Sequence, residues 1–283
     1  MKTSKLLSLS VLTLSVLLFT NCQTEDESVT TEINQESSKS EASAEVYPLT
    51  GNEKKVTKMF FGEETEFNEV DNNLILGDMI LSPEQVEETN ILEKGVIRRN
   101  RHWPKSGSYY YIHYTVDSNL PNKGRVTSAI NHWESKTKIR FVKRTNQRAY
   151  IRFRSGSGCS SSVGRTGGRQ NITLASGCST GNTIHEIGHA IGMYHEQQHP
   201  KRDNYVTVNF NNIQSGKASN FNKRSSSSVR TSTFDIGSIM MYGSYFFSKN
   251  GKPTIVRKNG STFNVQRRAL SSRDLSVIKR YYK

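Results

Sequence analysis

At 283 residues and a hydrophobic fraction of 34%, the chain has room for one large domain or two small ones, but part of it is too polar to join a core. The formal net charge of +14 is split: residues 1–22 carry 2 lysines and no acid, residues 23–90 carry 4 basic and 17 acidic residues, and residues 91–283 carry 33 basic and 8 acidic residues. That asymmetry excludes an evenly mixed surface and fits either two solvated surfaces or an acidic leader that lies on a basic body until it is removed.

The chain begins with Lys2 and Lys5 and an apolar run from Leu6 to Phe19, too short and too early for a membrane span and suited to an export signal. The run ends at Cys22, resembling a bacterial lipoprotein signal in which that cysteine is lipidated, although Asn21 is not the usual small residue. The expectation is a protein secreted by a bacterium or held at its envelope, with membrane contact only through a lipid on Cys22. If Cys22 is lipidated or lost, Cys159 and Cys178 remain as a pair, and export favours a disulfide. It would close a loop of about 20 residues, worth about 3 kcal/mol.

Residues 23–50, rich in Ser, Thr and Glu, read as a disordered tether. The runs "KKVTKMFFG" and "LILGDMILSPEQVEE" hold enough apolar residues to dock but hardly enough to fold alone. "GVIRRNRHWP" reads as a site for proteolytic nicking or as an ordinary basic loop. "GSYYYIHYTV" follows as a strand, "LPNKGRVTSAINHWESKT" as a helix with Val126, Ile130 and Trp133 on one face, and "KIRFVKR" and "AYIRFRS" as strands. "GSGCSSSVGRTGGRQ" reads as a loop, "NITLAS" as a strand, "TIHEIGHAIGMYHE" as a helix, and "SSRDLSVIKRYY" as a closing helix after a loop-rich stretch. The order of elements suggests an α+β domain.

Three of the seven histidines lie in "HEIGHAIGMYH". His185 and His189, four apart, share a helix face and can grip one metal ion, while Glu186 reaches a water on it. Gly192 lets the chain leave the helix and return with His195 as a third ligand. A helix with scattered histidines is the plainer reading, but a chance match to five fixed positions is on the order of 10⁻⁵.

The pattern resembles the metzincin metalloproteases, with "SIMMYG" supplying their methionine turn at Met240. "HEQQHPKRDNYV", "SIMMYGSYFFS", "GSGCSSSVGR" and "KIRFV" resemble the astacin family in particular, from about residue 96 onward. The resemblance implies a zincin-like α+β fold: a twisted, mostly antiparallel sheet and the active-site helix in an N-terminal half, and a loop-rich C-terminal half ending in a helix. It implies one Zn²⁺ per chain on His185, His189 and His195, with Tyr242 as a loose further ligand that stabilises the transition state. Glu196 would anchor the mature N-terminus, and His199, outside the pattern, would lie at the surface. "LILGDMIL" resembles the family's propeptide motif, making Asp78 a zymogen switch on the zinc. A thiolate from Cys22 is a lower-ranked alternative plug. Many relatives carry a second disulfide from the "KTxIRF" strand to the C-terminus; here Lys138 and the ending "RYYK" leave the C-terminal half to packing alone.

The implied organisation is a signal at 1–22, an acidic propeptide at 23–95 and a catalytic domain at 96–283, without EGF-like or CUB-like additions. The implied reaction is peptide hydrolysis, with Glu186 as proton carrier and Tyr242 as oxyanion donor. The partners would be protein or peptide substrates and the chain's own propeptide, with no specific nucleic acid, in a monomer. The substrate would pair as an added strand, with "AYIRFRS" as the edge. The rival is a non-catalytic cationic protein that binds envelopes or adheres. Glu186 argues against it, and a structural zinc site usually has four protein ligands.

Overall fold

The structure, a computed structural model, describes residues 45–91, 101–225 and 233–283. The export signal, Cys22, the tether before Glu45 and the junction through Asn100 lie outside the described residues. A ten-stranded sheet organises the rest, in the order β1 (Lys54–Phe60), β2 (Glu63–Val70), β3 (Asn73–Leu76), β4 (Met79–Leu81), β9 (Cys159–Ser162), β10 (Arg169–Leu174), β8 (Tyr150–Ser155), β6 (Tyr109–Val116), β5 (Lys105–Ser106), with β7 (Ile139–Lys143) also on β6. Helix α1 (Pro83–Ile91) follows β4, α2 (Gly124–Lys136) follows β6, and α3 (Thr180–Ala190) follows β10. Beyond α3 come short 3-10 turns, a two-stranded ladder of β11 (Val206–Val208) and β12 (Ile255–Arg257), and α4 (Ser272–Tyr281).

The apolar spacing of α2 works as expected: Val126, Ile130 and Trp133 are buried. They pack with Ile112, Ile151, Phe153 and Ile172 from one face of the sheet and with Ile184 and Ile187 of α3. Burying a large side chain of this kind contributes about 1.5–3 kcal/mol. The α+β architecture is the expected one, and its sheet is mixed. The strands before Pro83 form an antiparallel meander and β9 runs antiparallel to β10, while β6, β7, β8 and β10 run parallel to one another. Two expectations are corrected. The segment "GSGCSSSVGRTGGRQ" contains a strand, β9, because its small side chains let backbones approach on both sides. "AYIRFRS" is an interior strand, β8, flanked by β10 and β6, and β9 is the edge of the body's own sheet on the β10 side.

The meander before Pro83 builds a small core of Phe60, Phe67, Leu74, Met79 and Leu81, completed by Val163 from the body. Phe60 and Phe61 also meet the ring of Tyr194, at centroid distances of 6.0 and 5.2 Å. That is a docked unit rather than a free-standing one, since four short strands bury too little alone. Cys159 and Cys178 form the expected disulfide, tying β9 to the turn before α3. The C-terminus, without a second disulfide, is held by aromatics. Tyr282 donates to Ile191 O at 2.8 Å and meets Tyr110 edge-on at 4.8 Å, and Tyr110 donates to Lys283 O at 3.2 Å.

Candidate active site

Helix α3 starts at a capping box: Ser179 Oγ accepts from Asn182 N–H at 3.1 Å, and Asn182 Oδ1 accepts from Ser179 N–H at 2.7 Å. Its C-terminal carbonyls are satisfied from elsewhere in the fold. Trp103 Nε1 donates to Ala190 O at 3.0 Å, and Gly164 and Gly192 both donate to His189 O at 2.8 Å. Gly192 has φ +109°, a conformation open to glycine, and the chain turns back there to bring His195 against the helix.

The three imidazoles are buried. His185 Nδ1 lies 2.8 Å from Ile239 O, and His189 Nδ1 lies 2.8 Å from Met193 O. A carbonyl only accepts, so both Nδ1 atoms carry the proton and both Nε2 atoms present lone pairs. Those lone pairs meet His195 Nε2, 3.2 Å from His189 Nε2, and the Asp78 carboxylate. Asp78 Oδ2 is 3.2 Å from His185 Nε2, and Oδ1 is 3.1 Å from His195 Nε2 and 3.7 Å from His189 Nε2. One ligand atom from each of the four residues falls within 4.8 Å of the others. The Nε2 lone pairs of His185 and His189 and the Asp78 carboxylate are acceptors that converge on one point, and a cation there relieves their mutual repulsion. Three neutral imidazoles and a carboxylate suit zinc.

Glu186 lies beside this group, fully buried, with both carboxylate oxygens unpartnered, and the buried Tyr242 hydroxyl is unpartnered as well. Burial pushes the Glu186 carboxyl well above the usual range, and the charges of Asp78 and Glu45 push the same way. Burial also lifts Tyr242 and lowers His195 to about 4. Tyr242 stacks on Phe246 at 3.9 Å and reaches the ring of His195 at 4.5 Å. Met240 lies directly under the helix: a Cβ on Gly188 would stand 2.8 Å from its sulfur. Glu196 is pushed up to about 8 by burial, and its Oε1 accepts from Asp235 N–H at 2.8 Å. His199 is not a surface residue as expected. It is fully buried, accepts from Lys201 N–H at 3.1 Å and meets Phe234 edge-on, because the turn into Pro200 folds it inward.

Three residues, Glu45, Asn182 and Arg267, escaped the sequence reading. Glu45, fully buried, binds Arg267 with both oxygens, Nη2 to Oε2 at 2.5 Å, and accepts from Asn182 Nδ2 at 2.6 Å. Arg267 also donates to Ile239 O at 2.6 Å and Met241 O at 3.2 Å, so it braces the methionine turn. No local signal marks Glu45: it is one glutamate in a Ser- and Glu-rich stretch, and only the fold brings it to Arg267. Residues 45–50 therefore belong to the docked leader, not to the tether.

Residues 95–283 match the sequence profile of Astacin, a peptidase family. The chain belongs to the astacin family. Blastula protease 10 of Paracentrotus lividus is 38% identical over 230 residues, covering 73% of this chain and 38% of that protein. Zinc metalloproteinase nas-4 of Caenorhabditis elegans is 36% identical over 217 residues, covering 73% and 68%. Among solved structures, high choriolytic enzyme 1, a hatching enzyme zinc-protease from Oryzias latipes, superposes with a TM-score of 0.62 at 34% identity, covering 66% of this chain and 96% of that one. The chain thus spans well under half the length of its sea-urchin relative. These relatives come from animals and lend the expected bacterial origin no support. Zinc is the metal of the astacin family, and the donor set built by α3, its exit turn and the leader fits it.

Proposed function

We propose that the chain is a zinc endopeptidase held latent by its own leader. The observation that supports this reading best is the place of Asp78, on a segment whose strand β4 pairs with β9, the edge an extended substrate would use. Ser161 N–H donates to Asp78 O at 3.0 Å, and Val163 N–H donates to Ile80 O at 3.1 Å, so the leader takes the edge's hydrogen bonds while its carboxylate faces the imidazoles. Residues 1–22 act as an export signal, 23–95 as the propeptide and 96–283 as the catalytic domain, in a secreted monomer.

Zinc, when bound by His185, His189 and His195, supplies a Lewis acid that polarises the scissile carbonyl and acidifies water. Glu186 then takes the proton from the attacking water and hands it to the leaving amine. Tyr242, with its hydroxyl unpartnered, donates to the developing oxyanion. Glu196 receives the new N-terminus once the leader is cut. The test is casein hydrolysis by residues 23–283 after limited trypsin, beside Glu186→Gln. A loss of at least about 100-fold in the variant, with zinc content unchanged, is expected. Equal hydrolysis by both would remove Glu186 from its role. No hydrolysis by either, with zinc bound and the leader shown to be cut, would restore the cationic binding protein.

A further inference from the structure

The sheet has a second face. Ile112, Ile151, Phe153 and Ile172 point into the core beneath α2 and α3, and their chain neighbours alternate to the other side. There Tyr109, Arg140, Tyr150, Arg152, Arg154 and Arg169 are each exposed or half-exposed. The register sets Arg169 beside Tyr150 and Arg140 beside Tyr111. Two tyrosine rings are covered by guanidinium groups: Arg140 stands 4.2 Å over Tyr109, and Arg144 stands 4.2 Å over Tyr150. Among the described residues, this face makes one ion pair, Arg152 with Asp117.

Among the described residues, no acid of the leader forms an ion pair with these arginines, although Arg154 stands close enough to the leader's Tyr47 for its charge to act on that hydroxyl. The leader's ion pairs with the body among the described residues are Glu45–Arg267 and Glu88–Arg101, and it seats by strand pairing on β9. The leader's own lysines take up others of its acids, Lys54 with Glu69 and Lys55 with Glu66.

We propose that this outer face binds a polyanionic polysaccharide, one bearing sulfate or carboxylate groups along an extended chain. With Arg152 held by Asp117 and Arg140 Nη1 held by backbone carbonyls, the exposed guanidinium groups of Arg154 and Arg169, on the neighbouring strands β8 and β10, are the ones left to meet planar or tetrahedral anions. A single-stranded nucleic acid would need open aromatic faces for its bases. Here the Tyr109 and Tyr150 rings are already capped, so the face offers N–H donors rather than stacking platforms. Such binding would hold the protein on a glycan-rich matrix without involving the cleft.

The experiment is affinity for heparin, as the sulfated probe, measured with residues 23–283 at graded salt. Wild type is compared with Arg154→Glu/Arg169→Glu and with Lys249→Glu/Lys258→Glu, which makes the same charge change on the exposed C-terminal half. The expected result is salt-sensitive binding that the arginine pair weakens at least about tenfold and the lysine pair hardly changes. Equal losses in the two variants would reduce the effect to net charge and overturn the proposal, as would no binding at about 0.15 M salt. Tighter binding to single-stranded oligo-dT than to heparin, abolished by the same arginine pair, would overturn the polysaccharide in favour of nucleic acid. Casein hydrolysis after trypsin should be unchanged in both variants, so the proposal and the protease reading fail separately.

Discussion

Glu45 is the residue whose behaviour is least expected from composition. Its folded pKa is depressed: burial opposes the charge, but the guanidinium of Arg267, paired and hydrogen-bonded to it, pulls the other way. A depressed carboxylate contributes stability that is present above the unfolded value, near 4.5, and is lost as pH falls through the folded value. Glu45→Ala leaves Arg267 buried without its partner and is expected to cost about 3 kcal/mol at pH 7 by urea unfolding. The difference between wild type and variant should shrink as pH falls below the unfolded value of 4.5; a constant difference would mean that the carboxylate is not charged in the fold. Gly77 is a second test at this scale. It has φ +67°, and a Cβ there would stand 2.8 Å from the Tyr242 hydroxyl. Gly77→Ala is therefore expected to loosen the leader and raise casein hydrolysis before trypsin, and an unchanged background would show that the leader tolerates the clash. The histidines were legible because the ligand spacing is local to one helix and its exit. Glu45, Arg267 and the burial of His199 were not, because each depends on contacts far away in the chain.

At the scale of elements, β9 carries most of the surprise. Its "CSSS" sequence has none of the branched and aromatic residues that mark a strand, and its place follows from the register with β10 and from the disulfide at its first residue. Removing that bond with Cys159→Ser/Cys178→Ser is expected to lower stability by about 3 kcal/mol in urea. Unchanged stability would show that packing alone holds β9. The parallel run of β6, β7, β8 and β10 was equally hidden, since alternation reports burial and not direction. The closing helix α4 was legible at both ends, with Ser271 and Asp274 forming its capping box. What the sequence could not show is that Asp274 also accepts from Ser238 Oγ at 2.6 Å and Ile239 N–H at 3.0 Å, fastening the methionine turn. Tyr282 has a similar long-range task at the other end of α4. Tyr282→Phe should cost about 1 kcal/mol through the lost bond to Ile191 O, read as a lowered urea midpoint. No change would shift the C-terminal anchoring onto the ring contacts.

The molecule as a whole is a basic body closed by an acidic leader, yet among the described residues exposed charge is not what joins them. Strand pairing on β9, the small apolar core around Phe60 and Met79, and one buried ion pair do so. Exposed ion pairs are screened within about 10 Å at 0.1 M salt, while buried contacts are not. Latency is therefore expected to persist in about 1 M NaCl, and release of activity by salt alone would assign the docking to surface charge. The charge asymmetry was plain in composition, but only the structure shows that the leader's described ion pairs with the body, Glu45–Arg267 and Glu88–Arg101, leave Arg154 and Arg169 without an acid from the leader among the described residues. The measurement that bears most directly on latency is casein hydrolysis by Asp78→Ala without trypsin, on zinc-loaded residues 23–283 with the leader intact by mass. Hydrolysis by that variant, where the untreated wild type is silent, is the expected result. Silence in both, with trypsin then activating both equally, would contradict a carboxylate plug and leave the leader as a cover alone.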